Sequence, residues 1–168
     1  MSQFLAYRGF SLRRAAPSTK VLLTAFNAVV ALAVAVGIVM YQVRTRLTPA
    51  GGAAYYGGTE LDPGPSALEL LDATHPHLFA SSFLLFVLGH LFALTRASQR
   101  AKTRLALLGF ATVVVDAAAP WVIRFVWPPF ALVQVVNTAV MAGVILIYLA
   151  VPLYEMWLGS EPQPASQA

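Results

Sequence analysis

Long uncharged apolar runs alternate along this chain with short segments that hold its charged residues. Four such runs are present, and a single acidic side chain, Asp116, lies within them. Each run is close to the roughly 20 apolar residues with which an α-helix crosses the roughly 30 Å hydrocarbon layer of a bilayer. The pattern predicts an all-α membrane protein, a four-transmembrane-helix bundle with spans of about 21–43, 76–96, 104–125 and 130–153.

The composition leaves little room for anything but this membrane domain. Of 168 residues, 58% are hydrophobic and only 11% are charged, which departs strongly from ordinary soluble domains. Residues 1–158 are therefore interpreted as one membrane domain in contact with the lipid bilayer. The Pro-, Ser- and Gln-rich segment 159–168 is expected to be a disordered tail.

The basic residues indicate the orientation of the spans. Eight of the 11 Lys and Arg residues lie in the N-terminal tail, from Arg8 to Lys20, or in the connection 96–104. Because cytoplasmic loops carry the excess of basic residues, both termini are predicted to be cytoplasmic. The basic residues flank the spans and form no stripe alternating with aromatic residues, so nucleic-acid binding is not expected.

The first loop, 44–74, lies on the outer side in this topology. Its first part is rich in Gly and Pro, which break regular structure. Ser66-Ala67-Leu68-Glu69 then matches a capping box, with Glu three residues after Ser. These features predict a short interfacial helix over Ala67–Ala73 in the first outer loop, leading into the second span.

All three histidines belong to the second span, at His75, His77 and His90. Histidine inside a bilayer is costly, so such residues are expected to face the bundle interior, a cavity or a cofactor. At about 100° per residue His75 and His90 are offset by roughly 60°, and at about 1.5 Å per residue they are roughly 22 Å apart. They can therefore share a helix face and serve two separate cofactors, but not one metal ion.

This spacing resembles the b-type diheme membrane cytochromes, in which histidines near both ends of a membrane helix hold two haems. The resemblance implies haem b as the cofactor and electron transfer as the function, with quinone as a possible redox partner. No other span contains histidine, so the opposite ligand would come from a homodimer partner, from a subunit of a larger membrane complex, or from Met40. Arg124 would pair with a haem propionate.

Several alternatives stay open for the same residues. His75, His77 and Met40 form a possible copper site, since Cu(I) favours imidazole and thioether ligands. The two outer histidines can also simply sit at the interface, with Pro76 in the first turn of the helix. His90 can donate a hydrogen bond to Asn27. Asp116 is either a proton-carrying residue or a structural acceptor for a backbone group freed by Pro120.

A wider resemblance concerns several motifs together. The strings Thr74-His75-Pro76-His77, Gly89-His90, Pro120-Trp121 and Pro152-Leu153-Tyr154-Glu155-Met156-Trp157 resemble a group of small four-span bacterial inner-membrane proteins. That likeness implies a multi-pass protein of the bacterial inner membrane and transfers no catalytic role.

What is missing from the sequence narrows the function further. Zero cysteines exclude disulfides, iron–sulfur clusters and covalent haem attachment. A nucleophile elbow, a Walker loop and an HExxH motif are also missing, so no catalytic residues are assigned. The sequence favours an electron-transfer or accessory subunit over a stand-alone enzyme. Three functions remain: a haem-binding electron-transfer subunit, a cofactor-free accessory subunit of a respiratory complex, and a copper- or proton-handling protein.

Overall fold

The computed structural model describes residues 11–159 and is helical throughout that range. Four helices are long and apolar enough to cross a membrane, which confirms the predicted fold class. Single 3-10 turns precede the first and the last of these helices. Arg8 and residues 160–168, with most of the predicted disordered tail, lie outside the described residues. The helices are α1 (Pro17–Thr45), α2 (Pro49–Gly57), α3 (Ala67–Ala93), α4 (Gln99–Phe125) and α5 (Ala131–Trp157).

Helix α5 is the centre of the bundle and contacts each of the other four helices. Helices α3 and α4 pack against it and against each other, whereas α1 packs only against α2 and α5 within the described part of the chain. The main core lies between α3, α4 and α5 and includes Leu85, Leu88, Val113, Val144 and Tyr148. Helix α1 is therefore peripheral, and most of its surface is exposed.

The capping box predicted at the start of the second span is present. The Ser66 hydroxyl accepts a hydrogen bond from the Glu69 backbone N–H (3.3 Å), and the Glu69 carboxylate accepts one from the Ser66 N–H (2.7 Å). It begins the continuous helix α3 and not a separate helix over Ala67–Ala73, so that boundary was wrong. Pro76 consequently lies inside α3 and not in a first turn, because the cap starts the helix nine residues earlier.

The short helix of the first loop is α2, in the Gly-rich part that was expected to be irregular. Thr48 caps it, accepting from the Gly51 N–H (3.0 Å), and Pro49 occupies its first turn, where the missing N–H of proline costs little. A Cβ on Gly51 would lie 1.9 Å from the Thr45 carbonyl oxygen, so only glycine permits this close turn after α1. Buried Gly52 then lets α2 approach Ala131 of α5.

The two ends of the described chain meet at the end of the bundle opposite α2. Arg13 Nη1 donates to the Trp157 carbonyl oxygen (2.7 Å), as expected when four spans bring both ends to the same side. Near the start of α4, Lys102 Nζ donates to the carbonyl oxygens of Ala93 and Thr95, each at 2.7 Å. A cation at this position satisfies free carbonyl groups at the end of α3 and complements its dipole.

Candidate functional site

The three histidines of α3 are all exposed on the outside of the bundle. Of the three expected surroundings, the bundle interior is not the one observed, because Leu85, Leu88 and Phe92 occupy the face of α3 that packs into the core. Imidazole groups on the outside of a spanning helix are accessible to lipid, to the membrane–water interface or to another molecule.

A groove of about 210 Å³ lies beside His90, between α3 and α4. Small residues leave this space open, and the ring of Phe86 lies 6.3 Å from the His90 ring between centroids. The groove combines one imidazole and the Lys102 side chain with otherwise mostly apolar walls, so it can contact the edge of a flat, largely apolar group. The remaining lining residues are Leu85, Phe86, Gly89, Ala93, Ala106, Phe110 and Tyr148.

Tyr148 of α5 forms the floor of this groove. Its side chain is 2% exposed, and a Cβ placed on Gly89 would lie 3.6 Å from its hydroxyl oxygen. On the α4 side, a Cβ on Gly109 would lie 3.9 Å from the same oxygen. The two glycines thus let both helices approach the hydroxyl, which makes no hydrogen bond within residues 11–159.

The other predicted ligands are not brought to these histidines. Met40 is exposed on α1, and α1 makes no helix contact with α3 in the described part of the chain. The predicted copper set of His75, His77 and Met40 therefore does not converge within one chain. Among the described residues no group of three or more His, Cys, Asp or Glu side chains is placed to hold a metal ion.

Arg124 lies at the end of the bundle that holds α2. Its Nη1 donates to the carbonyl oxygen of Gly57 (2.6 Å), at the C-terminus of α2, where a cation complements the helix dipole. Nearby, Trp121 Nε1 donates to Thr74 Oγ1 (2.9 Å) and ties α4 to α3 next to His75. In this chain Arg124 fastens α2 to α4.

A second set of polar side chains converges inside the bundle, and we call Tyr41, Tyr56, Asp116 and Gln134 the α2 polar cluster. They belong to α1, α2, α4 and α5 respectively. Asp116 lies within electrostatic reach of both tyrosines and of His77. Its carboxylate makes no hydrogen bond or ion pair in residues 11–159, so the proposed bond to a backbone group near Pro120 is not formed.

Two atoms of the α2 polar cluster are buried without a hydrogen bond of good geometry in the described part of the chain. Gln134 is 3% exposed, and among the described residues its Oε1 accepts no hydrogen bond of good geometry, although the Tyr56 hydroxyl is near. The Tyr41 hydroxyl likewise makes none there, although Thr45 and Thr138 are near. Unsatisfied buried polar groups are rare and costly. Burial raises the pKa of Tyr56 to about 12, so its hydroxyl stays protonated at neutral pH.

Asn27 is also buried, and neither side-chain atom has a partner within the described range. The predicted hydrogen bond from His90 to Asn27 is therefore not formed, because α1, which carries Asn27, makes no helix contact with α3 in the described part of the chain. Sequence reasoning missed Gln134, Tyr56 and Gly52. The only available signal was the group of uncharged polar residues Gln134, Asn137 and Thr138 within an apolar span.

The helices and their lengths define a multi-pass helical membrane protein. Residues 46–163 match a family described as a transmembrane helical domain, and the chain belongs to that family. The matched segment begins after α1 and contains α2 to α5, the helices that surround the groove and most of the α2 polar cluster. No curated protein and no solved structure matches the chain significantly.

Proposed function

We propose that this protein is a membrane-embedded, haem-binding electron-transfer subunit in which α3 carries the axial ligands. The observation that supports it is the position of the histidines. All three lie on the outside of one spanning helix, and His90 opens onto a groove lined with small and aromatic residues. Neutral imidazole is a usual axial ligand of haem iron.

Exposure of these imidazoles favours a ligand role over a merely structural one. A polar side chain that faces hydrocarbon without a partner is strongly disfavoured, and such residues usually mark a functional site. His90 makes no hydrogen bond in the described part of the chain. Coordination to iron would satisfy one ring nitrogen and remove the imidazole from lipid.

The groove fits the edge of a porphyrin and not the whole of it. Its volume of about 210 Å³ is too small for a complete macrocycle, so a second surface must cover the remainder. Homodimers are usually two-fold symmetric, and residues next to a two-fold axis normal to the membrane meet their own counterparts at the same depth. A second copy of α3 would thus supply the second imidazole to each iron, His90 facing His90 and His75 facing His75.

The chain's own residues then have defined roles. His90 and His75 hold the two groups, Phe86 and Phe110 exclude water beside His90, and the Tyr148 hydroxyl offers a hydrogen-bond donor at the floor of the groove. Haem b supplies reversible one-electron transfer. Two such centres roughly 22 Å apart along α3 would connect the two sides of the membrane, with a quinone and a partner outside the cytoplasm as electron donor and acceptor.

The first test is the dithionite-reduced minus oxidised absorption spectrum of the detergent-purified protein, expressed with ample haem. A b-type α band, together with a dimer by light scattering, supports the proposal. A flat spectrum from folded protein would contradict it.

One further observation favours a second function, a cofactor-free accessory subunit of a larger respiratory complex. Phe79, Phe83 and Phe86 are all exposed on α3, at 74%, 61% and 60%, on the same helix as the histidines. An aromatic surface of this kind can pack against another membrane subunit. Colourless protein that co-purifies with a larger respiratory complex would favour this function.

A further inference from the structure

The space next to Gly52 joins the unsatisfied atoms of the α2 polar cluster. A Cβ built on Gly52 would lie 3.8 Å from Gln134 Oε1, 4.0 Å from the Tyr41 hydroxyl oxygen and 3.4 Å from the Ala131 Cβ. Two buried oxygen atoms that make no hydrogen bond of good geometry within residues 11–159 therefore border the same space. The space is open because residue 52 has no side chain.

Asp116 is the acidic residue of the α2 polar cluster. Its carboxylate lies within electrostatic reach of both Tyr41 and Tyr56. His77 lies within its electrostatic reach but forms no ion pair with it, and Arg124 is directed towards Gly57 at the end of α2. Within residues 11–159 the carboxylate thus has no direct cationic partner.

We propose that the α2 polar cluster binds one monovalent metal cation, Na⁺, in the space beside Gly52. Gln134 Oε1 and the Tyr41 hydroxyl oxygen are its ligands, Asp116 supplies the balancing negative charge, and water completes the coordination shell. This site is separate from the histidines of α3 and does not depend on haem.

The chemistry of the donors selects this class of ligand. The groups around the space are amide, hydroxyl and carboxylate oxygens, which hard cations prefer. A single carboxylate matches a single positive charge, whereas a divalent ion would leave net charge buried among apolar side chains. Gln134 Oε1 can only accept a hydrogen bond or bind a cation, so the ligand has to be a donor or a cation and not an anion.

Glycine 52 permits a test that does not damage the fold. All three contacts of an added methyl group fall in the ordinary van der Waals range, and alanine is the better helix former. Gly52→Ala should therefore fold normally while its methyl group fills the space beside Gln134 Oε1 and the Tyr41 hydroxyl. Gly143→Ala is the matched control, because a Cβ there meets nothing within 4 Å.

The experiment compares melting temperatures of the full chain in detergent, in NaCl, KCl and choline chloride at equal ionic strength. Wild type and Gly143→Ala should melt about 3 °C higher in NaCl than in choline chloride, the shift expected at several times the dissociation constant. Gly52→Ala and Asp116→Asn should melt at the same temperature in both salts. In choline chloride Gly52→Ala should be at least as stable as wild type.

The outcomes separate cleanly. Equal melting of wild type in all three salts would overturn the site and leave only water beside Gly52. A sodium shift retained by both variants would place the cation elsewhere and overturn it as well. If Gly52→Ala loses the sodium-dependent rise in melting temperature but Asp116→Asn keeps it, the assignment of Asp116 as the balancing charge is overturned. Because none of these readings uses the haem spectrum, failure here is distinguishable from failure of the proposed electron-transfer function.

Discussion

Two sets of polar side chains in the same bundle are arranged in opposite ways. The α2 polar cluster draws on α1, α2, α4 and α5 and lies largely inside the protein, with Gln134 only 3% exposed. The histidines belong to one helix and point outward. Unpartnered polar groups are costly in a membrane. The first set is enclosed by helices of its own chain, whereas the second is accessible from outside, and we propose a different ligand for each set.

The largest expected effect is the loss of haem when a histidine of α3 is replaced. His90→Ala should lower the haem content by about half, and His75→Ala by a similar amount, because each residue is assigned to one of two haems. Pyridine haemochrome analysis of the purified variants measures this. Phe83→Ala, also exposed on α3, is the control and should keep full haem content. Full haem content in both histidine variants would reject the axial-ligand assignment.

Filling the groove beside His90 should have the next largest effect. In Gly89→Leu the new side chain would project into the space over Tyr148, whose hydroxyl lies 3.6 Å from the Cβ position. We expect loss of the haem bound by His90 with the sodium shift unchanged. Gly143→Leu, where a Cβ meets nothing within 4 Å, should bind haem normally. Equal spectra for the two variants would show that this groove does not hold the cofactor.

Removing the hydrogen bond between Arg124 and α2 tests the α2 polar cluster. Arg124→Leu removes the charged donor from the Gly57 carbonyl, and a hydrogen bond of this kind contributes about 2 kcal/mol. We expect a melting temperature lower by about 4–8 °C, together with a weaker sodium shift, because α2 carries Gly52 and Tyr56. Arg124→Lys, which keeps the charge, should recover part of both. Unchanged melting of Arg124→Leu would mean that packing alone holds α2.

The smallest expected effect concerns the start of α3. Ser66→Ala removes the capping box, and loss of such a cap costs about 1 kcal/mol, or a fall in melting temperature of about 2–4 °C. Haem content and sodium response should both stay normal, since the cap lies at the far end of α3 from His90 and outside the cluster. Ser82→Ala is the control. A change in haem content would link the cap to the histidine face.

The helix in the first loop and the orientation of the histidines both depend on contacts between helices. The first loop was expected to be irregular because of its glycines, yet α2 forms there, since Gly51 allows the close turn after α1 and Gly52 allows packing on Ala131. Gly in a helix costs about 1 kcal/mol relative to Ala, and tertiary contact offsets that cost. The histidines were expected to face the bundle interior, a cavity or a cofactor. Which of these applies depends on which helices pack against α3, and periodicity alone does not define that.

The amino-acid sequence by itself determined the four spans, the capping box at Ser66 and the concentration of histidine on one helix. Hydropathy over about 20 residues and a cap over four are local properties, so they can be identified before any helix is packed. Only the tertiary structure decided which face of α3 is exposed and that Tyr41, Gly52 and Gln134 meet. Those residues are far apart in the chain, and they meet only because α1 and α2 pack against α5.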